Sequence, residues 1–292
     1  MARTLDQGFD TFLSWLVPLS SEHDKAKSHK DSVNSCMVNN FKCSNFFETG
    51  SFGNGTGVRH HSDTDYFAVC PSSEFWTDSG YTLRKVKEAL QNTFWKTKEI
   101  EVRSPAVRIP FGSYASETLE VTPATRNGLV STPVGDKYSY DIPNSDGGWM
   151  QSSPGAHNSY VNRENDRLGG KLKPLIRLIK AWKFYNNVPI SSFYLELRTT
   201  KYAEGESSIV YDIDVKRVMK ILYDNDLPSI QDPMGISGYV KACSTEAKRE
   251  DALSKVKTGY TRAEKAVEKR ESNVDDAFYW WKLFYNNEFP SR

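Results

Sequence analysis

The chain of 292 residues is long enough to bury a large core, and it fits either one big domain or two moderate lobes. Its 38% apolar and 26% charged residues are the balance of an ordinary soluble globular protein. A formal net charge of +1 supplies no broad basic footprint, which argues against an extended duplex nucleic acid as partner, although a local basic cleft for triphosphates stays open.

Leu5, Phe9, Phe12, Leu13 and Leu16 recur at helical spacing and predict an amphipathic first helix that Pro18 ends. This segment has no secretory pattern, and no apolar run reaches the ~18 residues of a membrane span, so a cytoplasmic protein without membrane contact is expected. A second helix is predicted over residues 25–46, with Val33, Met37 and Phe41 inward. Cys36, Cys43, Cys70 and Cys243 show no paired metal spacing and are expected as free thiols.

Residues 50–65 carry the chemistry. Gly50 and Ser51 open a glycine-rich turn whose backbone N–H groups can approach a phosphate, because nothing bulky stands in the way. Asp63 and Asp65 follow at i, i+2 and open the apolar run Tyr66-Phe67-Ala68-Val69. On a strand this spacing points both carboxylates to one side, where a hard divalent cation such as Mg²⁺ relieves their repulsion. An Asp-x-Asp alone is usually a solvated strand end, and a glycine-rich stretch alone is usually a loop. Their conjunction with the strand that follows reads as phosphoryl or nucleotidyl transfer. His60 and His61 have no zinc spacing with a cysteine and are assigned to the loop.

Leu83, Val86, Leu90 and Phe94 mark a further helix, and residues 100–102, 106–111 and 118–122 read as strands. Residues 125–158, rich in Gly, Pro, Asn and Ser, predict a long functional loop joining two lobes. From Tyr160 onward the pattern is helical. Between residues 171 and 185, Leu172, Leu175, Ile176, Ile179 and Trp182 form a core stripe, and Lys173, Arg177 and Lys180 form a basic stripe beside it. Such a basic stripe alone reads as a solvated face. The mixed charge of residues 245–270 likewise reads as a solvated helix face.

The Gly50-Ser51 turn, Asp63-x-Asp65 and the later Glu120 in Leu119-Glu120-Val121 resemble the DNA polymerase β-type nucleotidyltransferase superfamily. Residues 175–182 and 191–197 resemble the helical lobe of 2′-5′-oligoadenylate synthetases. With Gly147 to Met150, Pro154 to Asn158, Asp232-Pro233 and the closing Phe289-Pro290, they resemble still more the bacterial cGAS/DncV-like nucleotidyltransferases (CD-NTases), which make cyclic oligonucleotide signals in anti-phage defence. The resemblance runs from about residue 45 to the C-terminus, with one departure: the third carboxylate is Glu where most relatives carry Asp.

The resemblance implies an α+β fold, with a polymerase β-like core of mixed sheet and helices over residues 1–158, a helical lobe over 159–292, and an active site in the cleft between. It implies Asp63, Asp65 and Glu120 as catalytic and metal-holding residues for two Mg²⁺ ions, with Mn²⁺ able to substitute. Two roles are open to Glu120, proton acceptor or metal ligand only, and Glu117 is its rival on the same strand. Gly50 and Ser51 would take the β- and γ-phosphates, Lys180 the triphosphate with Lys173 in reserve, and Ser192 a second phosphate or base contact. Ser191 or Ser192 serves equally well as a helix cap. Phe193, Tyr194 and Trp149 are stacking candidates, each also a candidate for the core.

The implied function is template-independent condensation of NTPs, ATP among them, into a cyclic di- or trinucleotide, with pyrophosphate released. A regulatory protein and an effector that binds the product are the implied partners. Two alternatives are a linear 2′-5′ oligoadenylate synthetase or a transferase onto RNA or protein, and a catalytically silent scaffold.

Overall fold

The apolar runs between residues 45 and 130 pair into one mixed sheet in the computed structural model, which describes residues 4–61, 64–112 and 117–292. Its order is β1 (Asn45–Thr49), β2 (Thr64–Val69), β5 (Glu117–Val130), β4 (Ala106–Phe111) and β3 (Glu101–Arg103). The far half of β5 also pairs with β6 (Lys137–Pro143), which pairs with β7 (Trp149–Ser152). Among the described residues, β2 and β5 run parallel and the other pairings of this sheet are antiparallel.

Side-chain alternation gives the sheet two unlike faces. Tyr66, Ala68, Val107, Ile109, Leu119 and Val121 point to one face and form a core with α2 (Ser20–Phe41) and α4 (Ser79–Thr93) through Val33, Met37, Leu83, Val86 and Leu90. Their neighbours in sequence point to the other face. There a smaller apolar cluster of Phe67, Val69, Ala124, Tyr140 and Ile142 fills one end, and the polar residues Asp65, Arg108 and Glu120 occupy the other.

These strands and helices belong to a unit of Pro18–Tyr160 and Met234–Ser237. The second unit comprises Met1–Val17, Val161–Pro233 and Gly238–Arg292, and the boundary falls inside α5 (Pro154–Arg167). The second unit contains α1 (Leu5–Leu16), α6 (Leu172–Tyr185), α7 (Ser192–Ala203), α8 (Tyr211–Asp224), α9 (Glu246–Glu268) and α10 (Val274–Phe284). It also contains the short pair β8 (Ile230–Gln231) and β9 (Tyr239–Val240).

Three expectations need correction. Residues 1–17 group with the C-terminal helices rather than with residues 18–158, because the stripe of α1 is filled by aromatic rings from the end of the chain. Phe9 meets Trp281 at 5.0 Å, Phe12 meets Tyr285 at 4.5 Å, and a Cβ at Gly8 would lie 2.8 Å from the Phe278 ring. The second helix stops at Phe41; Lys42 takes a left-handed φ of 51°, and Phe46 sits on β1, stacked on Tyr66 at 4.8 Å. Residues 125–152 are mostly strand rather than loop. A bulge between Arg126 and Gly128 and polar residues such as Asn127, Lys137 and Asp141 dilute the alternation that marks a strand.

No helix among the described residues is long and apolar enough to cross a membrane, and the four cysteines are free.

Candidate active site

Strand register brings the carboxylates together. Asp65 on β2 and Glu120 on β5 are Cα partners in the parallel pairing, so both side chains rise on the same sheet face from adjacent strands. Glu120 is also the partner of Arg108 on β4, and Asp65 the partner of Thr49 on β1. One polar row, Thr49, Asp65, Glu120 and Arg108, therefore crosses four strands. Asp63 lies outside the described residues, as does the side chain of Glu117. Among the described residues, no three His, Cys, Asp or Glu side chains form a metal-holding group.

Gly50 follows β1 directly and turns, with φ +62°, into the four-residue helix α3 (Gly50–Gly53) that precedes β2. A Cβ at Gly50 would lie 1.8 Å from Asp65 Oδ2, so only glycine lets the backbone lie against this carboxylate. The turn then closes through Asn54 N–H to Gly50 O at 3.1 Å and Thr56 N–H to Ser51 O at 2.9 Å. His60 and His61 belong to the loop after that turn, where His60 takes φ 63°. Hard oxygen donors on adjacent strands, with backbone pressed against one of them, suit a magnesium ion better than a soft metal.

The predicted basic stripe of α6 is not a solvated face. Lys180 is 2% exposed and pairs with Glu196 of α7 at 3.0 Å, while Lys173 and Arg177 are half-buried. Burial pulls the Arg177 guanidinium below its ordinary value. Ser192 accepts a hydrogen bond from Lys183 Nζ at 2.6 Å, and its neighbour Ser191 is the cap of α7, accepting from Tyr194 N–H at 3.3 Å. Burial and the adjacent Lys180 push the Lys183 ammonium down to about 8. Lys180, Lys183, Ser192 and Glu196 thus form one polar cluster with two cations and one carboxylate.

The sequence reading missed Lys183, Glu196 and Arg108. Signals existed: Lys183 is three positions after Lys180, Glu196 is four after Ser192, and Arg108 interrupts an otherwise apolar strand. Tyr194 is removed from the stacking candidates. It is fully buried, and its hydroxyl donates to Pro228 O at 2.8 Å. Trp149 stacks on Phe75 at 5.6 Å and donates its indole N–H to the carbonyls of Trp76 and Thr77.

Residues 3–165 match the Second Messenger Oligonucleotide or Dinucleotide Synthetase domain. A probable cyclic nucleotide synthase of Bacillus cereus (strain VD146) is 25% identical over 236 residues, covering 78% of this chain and 69% of that protein. The cyclic AMP-AMP-AMP synthase of Acinetobacter sp. is 22% identical over 262 residues, covering 84% and 72%. Among solved structures, E. coli MS115-1 CdnC with ATP has the same fold, with a TM-score of 0.75 over 98% of each chain at 15% identity. CdnC in its HORMA-deltaN complex gives a TM-score of 0.73 at 14% identity, again over 98% of each chain. The chain belongs to the Second Messenger Oligonucleotide or Dinucleotide Synthetase family: it is a bacterial CD-NTase, a nucleotidyltransferase that makes a cyclic oligonucleotide second messenger.

Proposed function

We propose that this enzyme joins nucleoside triphosphates, ATP among them, into a cyclic di- or trinucleotide through 2′-5′ or 3′-5′ bonds. The observation that carries the reading is the pairing of Asp65 with Glu120 on the polar end of the sheet, with Gly50 packed on Asp65. Asp65 and Glu120, with Asp63 two positions before Asp65, would hold two Mg²⁺ ions, which Mn²⁺ can replace. Bound magnesium supplies Lewis-acid activation of a sugar hydroxyl and charge neutralisation on the leaving pyrophosphate.

In each transfer the hydroxyl oxygen attacks the α-phosphorus, the bond to the β-phosphate bridge breaks, and the hydroxyl proton leaves. Transfers repeat until the last one, within the linear product, closes the ring, and each releases one pyrophosphate. Gly50 and Ser51 present backbone N–H groups and a hydroxyl to phosphate oxygens. In the helical unit, Lys180 and Ser192 are assigned to phosphate by the family resemblance, with Lys173 in reserve, and Lys183 joins them through its bond to Ser192. Because Glu196 already neutralises Lys180, the surplus positive charge of that cluster rests with Lys183.

The names of relatives support the wider reading. One relative is a cyclic AMP-AMP-AMP synthase, and the similar CdnC has been solved with ATP and in a HORMA complex. We assign this chain to anti-phage (CBASS-type) signalling in the cytoplasm, with a regulatory protein partner and an effector that reads the product. The test is incubation of purified protein with all four NTPs and Mg²⁺, followed by phosphatase treatment and mass analysis. A phosphatase-resistant cyclic product is expected. A linear, phosphatase-sensitive product would favour an oligoadenylate-type synthetase, and no product with either metal would remove the reading.

A further inference from the structure

Arg108 continues the polar row onto β4, with one donor of its guanidinium unused. It is the β4 partner of Glu120, and its side chain is 18% exposed. Its guanidinium makes two long contacts, Nη1 to Glu101 Oε1 at 3.5 Å and Nη2 to Thr118 Oγ1 at 3.4 Å. Its Nε is buried and has no hydrogen-bond partner. Glu101 is already engaged by Arg103 at 2.6 Å, so two guanidinium groups share one carboxylate. Arg108 lies between the register partners Glu101 on β3 and Glu120 on β5, and its buried Nε donor, which has no hydrogen-bond partner, is open to an anion.

The order of the strands says which anion. Gly50 and Ser51 follow β1, on one flank of Asp65; Arg108 lies on β4, on the opposite flank of Glu120. Adjacent strands are about 4.8 Å apart, so the row from β1 to β4 is about 14 Å wide with the carboxylates in its middle. Phosphoryl transfer places the attacking and leaving oxygens on opposite sides of the phosphorus. With the donor's leaving phosphates on the Gly50–Ser51 flank, the attacking nucleotide comes in from the β4 flank. We propose that Arg108 binds a phosphate of the acceptor nucleotide, first an NTP and then the linear intermediate. This rests on the nucleotidyl-transfer reading above and adds to it the side from which the acceptor enters.

The test separates the two substrates chemically. A 2′,3′-dideoxy-NTP has no sugar hydroxyl to attack with and serves only as donor; an α,β-methylene-NTP has no cleavable bridge and serves only as acceptor. With one such pair for each base the wild type incorporates, R108A is expected to raise the acceptor KM at least tenfold and to leave the donor KM within twofold. Titration calorimetry of the methylene analogue, with a 2′,3′-dideoxy-α,β-methylene-NTP that can neither attack nor be cleaved saturating the donor site, should show the same weakening. R108K, which keeps the charge but loses the fork, should lie between. Should R108A melt early, R108K and R108Q are read the same way at matched stability.

An unchanged acceptor KM, or donor and acceptor KM rising together, overturns the inference and leaves Arg108 as a cross-strand clamp for Glu101 and Thr118. A wild type that forms no product with any base removes the transfer reading and this inference with it, an outcome distinct from an active enzyme indifferent to R108A.

Discussion

Lys180 and Glu196 form a 3.0 Å ion pair inside the helical unit, with the lysine side chain 2% exposed and the glutamate 12% exposed. The cation assigned to triphosphate by resemblance is thus neutralised within its own fold before any substrate arrives. Removing one partner of a buried pair strands the other, at a cost of about 3–5 kcal/mol. Lys180→Ala should lower unfolding stability by that order, while the double variant K180M/E196L should lie near wild type. Urea melts of the three proteins check this; a neutral K180A would show that the pair is hydrated in solution.

Lys183 should make both stability and substrate binding depend on pH. Its pKa falls from 10.5 in the unfolded chain to about 8 in the fold, with Lys180, Glu196, Ser192 and the Phe184 ring as the neighbours. Between those values the unfolded chain binds more protons, so stability rises with pH from about 8 to 10.5. Lys183→Met should flatten that rise and add about 2 kcal/mol at pH 7. If the ammonium also meets phosphate, K183M should raise the NTP KM about tenfold or more at pH 7, and the wild-type KM should climb above about pH 8. Parallel urea melts and KM measurements from pH 7 to 10 separate the two effects.

The carboxylate pair predicts opposite effects of one substitution. Asp65→Asn should cost about 10³-fold or more in pyrophosphate release if Asp65 holds the catalytic cations as proposed. Without divalent ions, however, it relieves repulsion between register partners and should stabilise the fold by about 0.5–1 kcal/mol. Thermal melts with and without Mg²⁺ test this, because wild type should gain stability from the ion and D65N should not.

Gly50→Ala is expected to fail for a local reason. A left-handed φ of +62° costs a Cβ residue about 1–2 kcal/mol, and the new methyl overlaps Asp65 Oδ2. Displacing that carboxylate by about an ångström should reduce turnover about 10²-fold. Ser51→Ala, which leaves the backbone alone, should be milder by comparison in the same pyrophosphate assay.

Phe9→Ala tests the place of the first helix. Phe9 is 1% exposed among Trp281, Phe289 and Tyr211, so a loss of about 3–5 kcal/mol is expected on chemical denaturation. A much smaller loss would mean that α1 is an appendage rather than part of the helical unit.

Local periodicity made much of this molecule legible. The first helix, the core stripe of α6 and the strand after Asp65 each declare themselves within a dozen residues, because amphipathic spacing is a short-range property. The identity of the chemistry was legible too: a glycine turn, a spaced acidic pair and a later lone Glu120 are a pattern few other tasks require. The bulged β5 and its partners β6 and β7 were not legible, since their exposed positions and Gly128 erase the alternation on which a strand assignment depends.

What no stretch of the sequence states is which distant groups end up touching. Spacing singled out Asp63 and Asp65 as candidates and the family resemblance added Glu120, but strand register made Asp65 and Glu120 neighbours across 54 intervening positions and set Arg108 beside Glu120. The same holds for charge. A stripe of lysines looks alike whether it faces water or a buried glutamate, and packing of α6 on α7 turned Lys180 inward to Glu196. Periodicity fixes the face a side chain takes on its own element; what lies opposite that face comes from elements far away in the chain, brought there by burial of their apolar surfaces.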